Sequence, residues 1–429
     1  MPPLDRKLAP KFKQVSTIHF IQPKTKKLDN GIIVHSISGG SQEILKIDFI
    51  FKAGVWHQNN PLVAKATNNL LKEGTKNYSA HDIAEGIDQY GAYFQNQVDY
   101  DNATLTVYTL SKYLDNVLAF VKEILLSPKF DKDEFNTYRE NSLERFKINQ
   151  EKVSFLARNE FMKQLFGSEF PYGKIAKIED FKSLSLTEIK EFYHNFYDLS
   201  NCEIVVAGNV TDDTFTSLND CFGSQNIKKE LIQIKEQSLT DNVQNKKVHI
   251  EKVGALQSAI RIGKLMPNKL HPDYFKLQIL STILGGYFGS RLMKNIREDK
   301  GYSYGVGCGL LSLKNAGYFF ISTEVGADVT TNALKEIYKE IKLLQTEEVK
   351  KDELDLVKNY LLGNLLKSCD GPFKMASLFE NVHFYGLNYD FYNNYIATIK
   401  NITSKEIIDI ANQYFKIETF TEVVAGKIN

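Results

Sequence analysis

Two stretches of the chain carry side chains whose types and spacing invite a chemical reading. The first is PLVAKATNNLLKEGT, residues 61–75. It begins apolar, continues with helical periodicity and ends in the turn Glu73-Gly74-Thr75, the frame of a helix that presents functional groups. The polar side chains inside it are Lys65, Thr67, Asn68 and Asn69. An amine, a hydroxyl and two amides make neither a good metal-ligand set nor a good general base. The second stretch is LGGYFGSRLMKNIREDKGYSYGVGCG, residues 284–309. Gly285-Gly286 is placed to end one helix and Gly289-Ser290 to open the next. Gly301 then breaks that helix, and YSYGVGCG starts a strand. Arg297 near the helix end and Tyr304 at the strand start are candidates to face one cavity. There a guanidinium and a phenol would donate hydrogen bonds to a peptide carbonyl or a developing oxyanion. The local pattern alone favours the plainer reading, a packing arginine and a half-buried tyrosine. The glycines do not have the spacing of a dinucleotide fingerprint, and no strand precedes them.

Other chemistries find little support. The eight histidines are His19, His35, His57, His81, His194, His249, His271 and His383, and the closest two are 16 residues apart. No helix can present a histidine pair, and nothing in the sequence points to distant ones meeting. There is no G-x-S-x-G elbow and no P-loop. Cys202, Cys221, Cys308 and Cys369 are widely spaced with no C-x-x-C, which argues against thiol zinc sites and a disulfide framework, and for a reduced compartment. Acid pairs such as Asp82/Glu85 and Glu140/Glu144 read as solvated helix faces.

Composition sets the scale. A chain of 429 residues is too long for one ordinary core, so two domains of about 200 residues are expected. The 53 basic and 52 acidic residues are well mixed, which argues against a nucleic-acid footprint and against an acidic disordered tail. The opening MPPLDRKLAPKFKQVSTIHF lacks an apolar h-region, so no signal peptide is expected and a cytoplasmic location follows. No apolar run approaches 18 residues, so no membrane span is expected.

The elements that must position these residues repeat. EIVVAGNV (203–210) closes the first half and EVVAGKI (422–428) the chain, with Val205 and Val423 218 residues apart. The same offset relates Glu188-Ile189 to Glu406-Ile407 and Phe196-Tyr197 to Tyr414-Phe415. In the first half, strands are expected at 31–37, 45–53, 92–98, 102–110 and 202–208. Helices are expected at 61–73, 79–90, 111–126, 131–166 and 186–197. In the second half, strands are expected at 246–252, 257–264, 302–312, 316–324 and the chain end. Its helices are expected at 271–284, 289–299, 328–345, 350–369 and 403–415. The fold class is therefore α+β, with two similar domains, 1–220 and 246–429, each a mostly antiparallel sheet flanked by helices. The polar segment 221–245 reads as a linker.

The chain resembles the pitrilysin and mitochondrial-processing-peptidase family, the inverzincins. The resemblance rests on the duplication, on AGVWHQNNPLVAKATNNLLKEGT, FGSEFPYGK and VVAGNV, and most specifically on LGGYFGSRLMKNIREDKGYSYGV. It extends from about residue 25 to the end. In active members the first helix carries His-x-x-Glu-His shortly before Gly-Thr, two histidines holding zinc and the glutamate acting as base. The resemblance places Lys65 at the first histidine, Asn68 at the glutamate and Asn69 at the second histidine. It places Arg145, in FNTYRENSLERF, at the third ligand, a glutamate on a later helix. The resemblance thus implies no metal and no autonomous peptidase activity in this chain. Arg297 and Tyr304 match an arginine and tyrosine that bind substrate and stabilise the tetrahedral intermediate. The short dimeric branch divides these parts between two chains, each half of a clamshell. The implied role is a non-catalytic, substrate-binding subunit whose partner, a homologous chain with the zinc motif, supplies the zinc, the substrates being peptides. The alternative is an inert structural or peptide-binding homologue, acting as a homodimer or scaffold.

Overall fold

The computed structural model describes residues 18–227 and 247–428. The first half holds strands β1 (Lys24–Lys27), β2 (Ile33–Ser38) and β3 (Ile44–Phe51), then helices α1 (Val63–Leu70) and α2 (Ala80–Asp88). Strands β4 (Tyr93–Val98) and β5 (Ala103–Leu110) follow, then α3 (Leu114–Leu126), α4 (Lys132–Gln150), α5 (Val153–Phe166), α6 (Ile178–Ser183) and α7 (Leu186–Phe196). Strand β6 (Cys202–Gly208) and helix α8 (Asp212–Leu218) close it. The second half holds β7 (Lys247–Glu251), β8 (Gln257–Met266), α9 (Tyr274–Ser281), β9 (Ser303–Leu313) and β10 (Ala316–Gly326). Helices α10 (Thr330–Thr346), α11 (Lys351–Ser368), α12 (Pro372–His383), α13 (Asp390–Asn401) and α14 (Ser404–Tyr414) lead to β11 (Thr421–Gly426).

The strands form two sheets, β1-β2-β6-β3-β5-β4 and β7-β11-β8-β10-β9. Each is antiparallel except for one parallel pair, β2 with β6 and β7 with β11. That pair joins the start of each half to its end, with the helices as the long crossover a parallel connection requires. The α+β architecture of two similar units is borne out.

The repeat is visible down to the helix caps. Ser185 accepts from the backbone N–H of Glu188, whose carboxylate accepts from the Ser185 backbone N–H at 2.9 Å. Thr403 and Glu406 repeat this box, with the N–H of Thr403 3.0 Å from the Glu406 carboxylate.

The two halves interlock. Each sheet packs one face on its own helices and the other on a helix from the opposite half. Phe161, Met162 and Phe166 of α5 pack with Ala259, Val423 and Ala425 of the second sheet. Met375, Ala376, Phe379 and Val382 of α12 pack with Ile37, Ile50, Val205 and Ala207 of the first. Cover on both faces leaves β3, β6 and β11 almost continuously buried, whereas the edge strand β4, YFQNQV, alternates. The approach is close: a Cβ on Gly263 of β8 would lie 2.8 Å from the Phe161 ring.

Several expectations change. The helical pattern expected over 131–166 is two helices, broken at Glu151-Lys152, because α4 lies along α1 while α5 turns onto the second sheet. Helical periodicity records which side is apolar, not which partner covers it. Helices α12 and α13 fill 372–401, where no element is expected. The linker expected at 221–245 falls mostly on 228–246, outside the described residues. At its start, Phe222 is buried against Phe49, with ring centroids 5.2 Å apart. Among the described residues, no helix is long and apolar enough to cross a membrane.

Candidate functional site

Helix α1 packs against α7, α4 and β4. Its apolar side buries Val63, Ala64, Ala66 and Leu70. Asn68 faces inward, 1% exposed, and its amide nitrogen donates to the Tyr197 hydroxyl at 3.0 Å. The amide of Asn96 on β4 donates to the Asn68 backbone carbonyl. Asn69 turns back to the Lys65 carbonyl at 2.7 Å. Tyr138 of α4 lies against Asn69, Ser142 and Arg145, and burial raises its hydroxyl above the usual phenol range. Lys65 and Arg145 are exposed. The four positions that the resemblance assigns to zinc thus lie on α1 and α4, Asn68 turned to Tyr197 and Asn69 and Arg145 set beside Tyr138, and their chemistry does not fit zinc. Two amides are committed to neutral hydrogen bonds, and two cations would oppose a dication. No imidazole or carboxylate stands at any of the four.

Arg297 and Tyr304 are built on firmer supports. The helical segment Met293–Asp299 buries Met293, Asn295 and Ile296. The Asn295 amide donates to Glu336 at 2.9 Å and to Glu340 at 2.7 Å, both on α10. Nearby, Arg291 makes a two-pronged pair with Glu353 of α11, at 2.8 and 2.9 Å. Arg297 is left half-buried, with its guanidinium carbon 4.6 Å from the Phe288 ring centroid and 5.7 Å from that of Tyr304. Such stacking holds a cation without neutralising it. Gly285 lets the preceding turn approach β9: a Cβ there would meet the Cys308 sulfur at 2.9 Å.

Tyr304 owes its position to a β-bulge. Ser303 pairs with Val325 and Val306 with Thr323, so Tyr304 and Gly305 together stand opposite Glu324 alone. The Ser303 hydroxyl bridges this irregularity, lying 2.7 Å from both the Gly305 and the Glu324 carbonyl oxygens, which share its one proton. Bulges re-aim side chains, and Tyr304 is 94% exposed. The two residues that local sequence places seven apart thus meet at one surface, with Phe288 as a third member that the sequence did not single out. They form an open stack rather than the lining of a closed cavity within this chain.

A further cluster escaped the sequence reading altogether. His35, Glu203 and His383 meet between the first sheet and α12. No local spacing announces it, because its members come from β2, β6 and the unexpected helix α12.

Comparison with known proteins bears on the family and the fold. Residues 49–169 match the family profile described as insulinase (peptidase family M16), and residues 183–361 match the one described as peptidase M16 inactive domain. A protein of Rickettsia felis named as an uncharacterized zinc protease is 25% identical over 412 residues, 93% of this chain and 96% of that protein. A protein of Helicobacter pylori named as a non-peptidase homolog is 22% identical over 369 residues, 85% of this chain and 84% of its own. The fold is shared with a peptidase M16 inactive domain from Pseudomonas fluorescens, at TM-score 0.83 and 23% identity, over 95% of this chain and 98% of that one. It is shared too with a protease from Helicobacter pylori, at TM-score 0.88 and 20% identity, over 95% and 100%. With the duplicated fold, the degenerate α1 and these matches together, the chain belongs to peptidase family M16.

Proposed function

We propose that this chain is the non-catalytic, substrate-binding subunit of a heterodimeric zinc peptidase. The observation that carries the reading is a contrast between its two halves. The zinc positions are occupied by Lys65, Asn68, Asn69 and Arg145, whereas Arg297, half-buried, and Tyr304, exposed, stack on one another at the surface. Among the described residues no carboxylate pairs with Arg297, which leaves its donors free for an incoming acceptor.

In this proposal the partner is a homologous chain with an intact zinc motif, which supplies the metal and the general base. This chain supplies half of the clamshell wall and the Arg297/Tyr304 pair, directed at the partner's zinc site. A peptide substrate adds as a strand to a sheet edge, held mainly by backbone hydrogen bonds, which allows broad sequence tolerance. Arg297 and Tyr304 donate to the scissile carbonyl as negative charge develops on its oxygen.

The test is co-expression with a zinc-motif homologue and measurement of peptide cleavage. Arg297→Ala and Tyr304→Phe are each expected to lower kcat/KM by about 100-fold, the scale of a lost oxyanion donor. Full activity in both variants would sink the shared site. The alternative, an inert scaffold, is favoured by the non-peptidase name of the Helicobacter pylori relative. It predicts the same activity from the partner alone as from the pair.

A further inference from the structure

The histidine–glutamate cluster lies where the halves interlock. β2 and β6 pair in parallel with Ile33 opposite Glu203 and His35 opposite Val205, so alternation places His35 and Glu203 on the same face. That is the face covered by α12, from which His383 descends. Nε2 of His35 is 3.1 Å, and Nε2 of His383 2.7 Å, from one and the same oxygen, Oε2 of Glu203. The three atoms lie within 4.8 Å of one another. The Phe379 ring flanks both imidazoles, with centroids at 4.9 and 4.7 Å, and forms an apolar wall. The side chains of His35, Glu203 and His383 are 6%, 20% and 28% exposed, so the cluster is closed on the sheet side and open on one other.

An ordinary ion pair has two carboxylate oxygens over which to spread two imidazoles. Here both converge on one. The Glu203 oxygen lies 3.1 and 2.7 Å from the two imidazole nitrogens, near the roughly 3.3 Å edges of a tetrahedron around a cation with bonds of about 2.0–2.2 Å. A small outward shift opens the triangle to that size. The Thr25 hydroxyl, 2.9 Å from Nδ1 of His35, can accept the proton there and so turn the Nε2 lone pair inward. Two imidazoles and a carboxylate are a donor set of borderline softness, suited to zinc and its first-row neighbours.

We propose that His35, Glu203 and His383 form a three-ligand site for a divalent first-row transition cation, zinc by ligand type, that pins α12 of the second half onto the first sheet. The open side admits a water as fourth ligand. Cation binding displaces the Nε2 protons that otherwise bridge to Glu203. This site is separate from the degenerate α1 positions and does not depend on a partner chain or on peptide cleavage.

The test uses the full chain alone, stripped with a chelator and titrated with Zn2+ against a chromophoric competitor. One equivalent is expected to bind and to raise Tm. Co2+ is expected to give the visible d–d bands of a four-coordinate site. Glu203→Gln and His383→Gln should each weaken binding on the order of 100-fold, and Thr25→Val about 10-fold. The proposal is overturned if the unmutated chain binds no more zinc than His383→Gln, or if Glu203→Gln binds as tightly as the unmutated chain. The cobalt spectrum needs no variant, so its absence would overturn the proposal even if a variant failed to fold.

Discussion

The Asn68 amide donates to the Tyr197 hydroxyl at 3.0 Å inside the first core, where Tyr197 is 3% exposed. A position that the family resemblance assigns to a catalytic glutamate has become part of the packing between α1 and the end of α7. Asn68→Ala would leave the Tyr197 hydroxyl buried without its partner. The expected cost is about 1–3 kcal/mol, read by urea denaturation. Asn68→Glu should cost more at pH 8 than at pH 5, because a buried unpaired carboxylate is tolerated only when protonated. Equal stability at both pH values would show that α1 opens to solvent there.

Phe288 stacks on Arg297 at 4.6 Å, yet it is 62% exposed and contributes little to the core. Phe288→Ala should change folding stability by less than about 0.5 kcal/mol. In the co-expressed pair it should raise KM several-fold, since an exposed cation–π contact is worth about 0.5–1 kcal/mol. Unchanged steady-state constants would mean that the stack does not orient Arg297.

The exchanged helices predict a single unfolding event. Phe161 on α5 and Phe379 on α12 each pack a helix of one half on the sheet of the other. Substitution of either by alanine should cost about 3–5 kcal/mol and shift one common transition in calorimetry. Two resolved transitions, only one of them moved, would show that the halves unfold independently.

His57 gives the stability a pH dependence. Burial, followed by the nearby Lys314 charge, lowers its pKa from 6.5 to about 4. In the unfolded chain it takes up a proton at its ordinary value, while the folded chain resists until about 4. Its stabilising contribution is therefore complete above pH 6.5 and is lost as pH falls from there towards 4. His57→Phe, which keeps an aromatic ring beside Phe196, should flatten the stability–pH curve in that window by roughly 2–3 kcal/mol. Chemical denaturation at several pH values reads this directly, and an unchanged slope would exclude His57 as the source.

The duplication, the α+β class and the loss of the zinc set can be read from the residues alone. These are legible because they are local: strand alternation, capping pairs such as Ser185/Glu188 and Thr403/Glu406, and residue types at fixed spacing along one helix. Arg297 and Tyr304 were legible for the same reason, being seven residues apart across one turn. What is non-local needed the folded chain. It showed that α5 and α12 cross to the opposite sheet, that a bulge turns Tyr304 fully outward, and that Phe288 completes the stack. It also brought His35 and His383 onto one oxygen of Glu203. Periodicity marks an apolar face but is silent on which surface covers it, so contacts between distant strands and an exchanged helix exist only once the chain is folded.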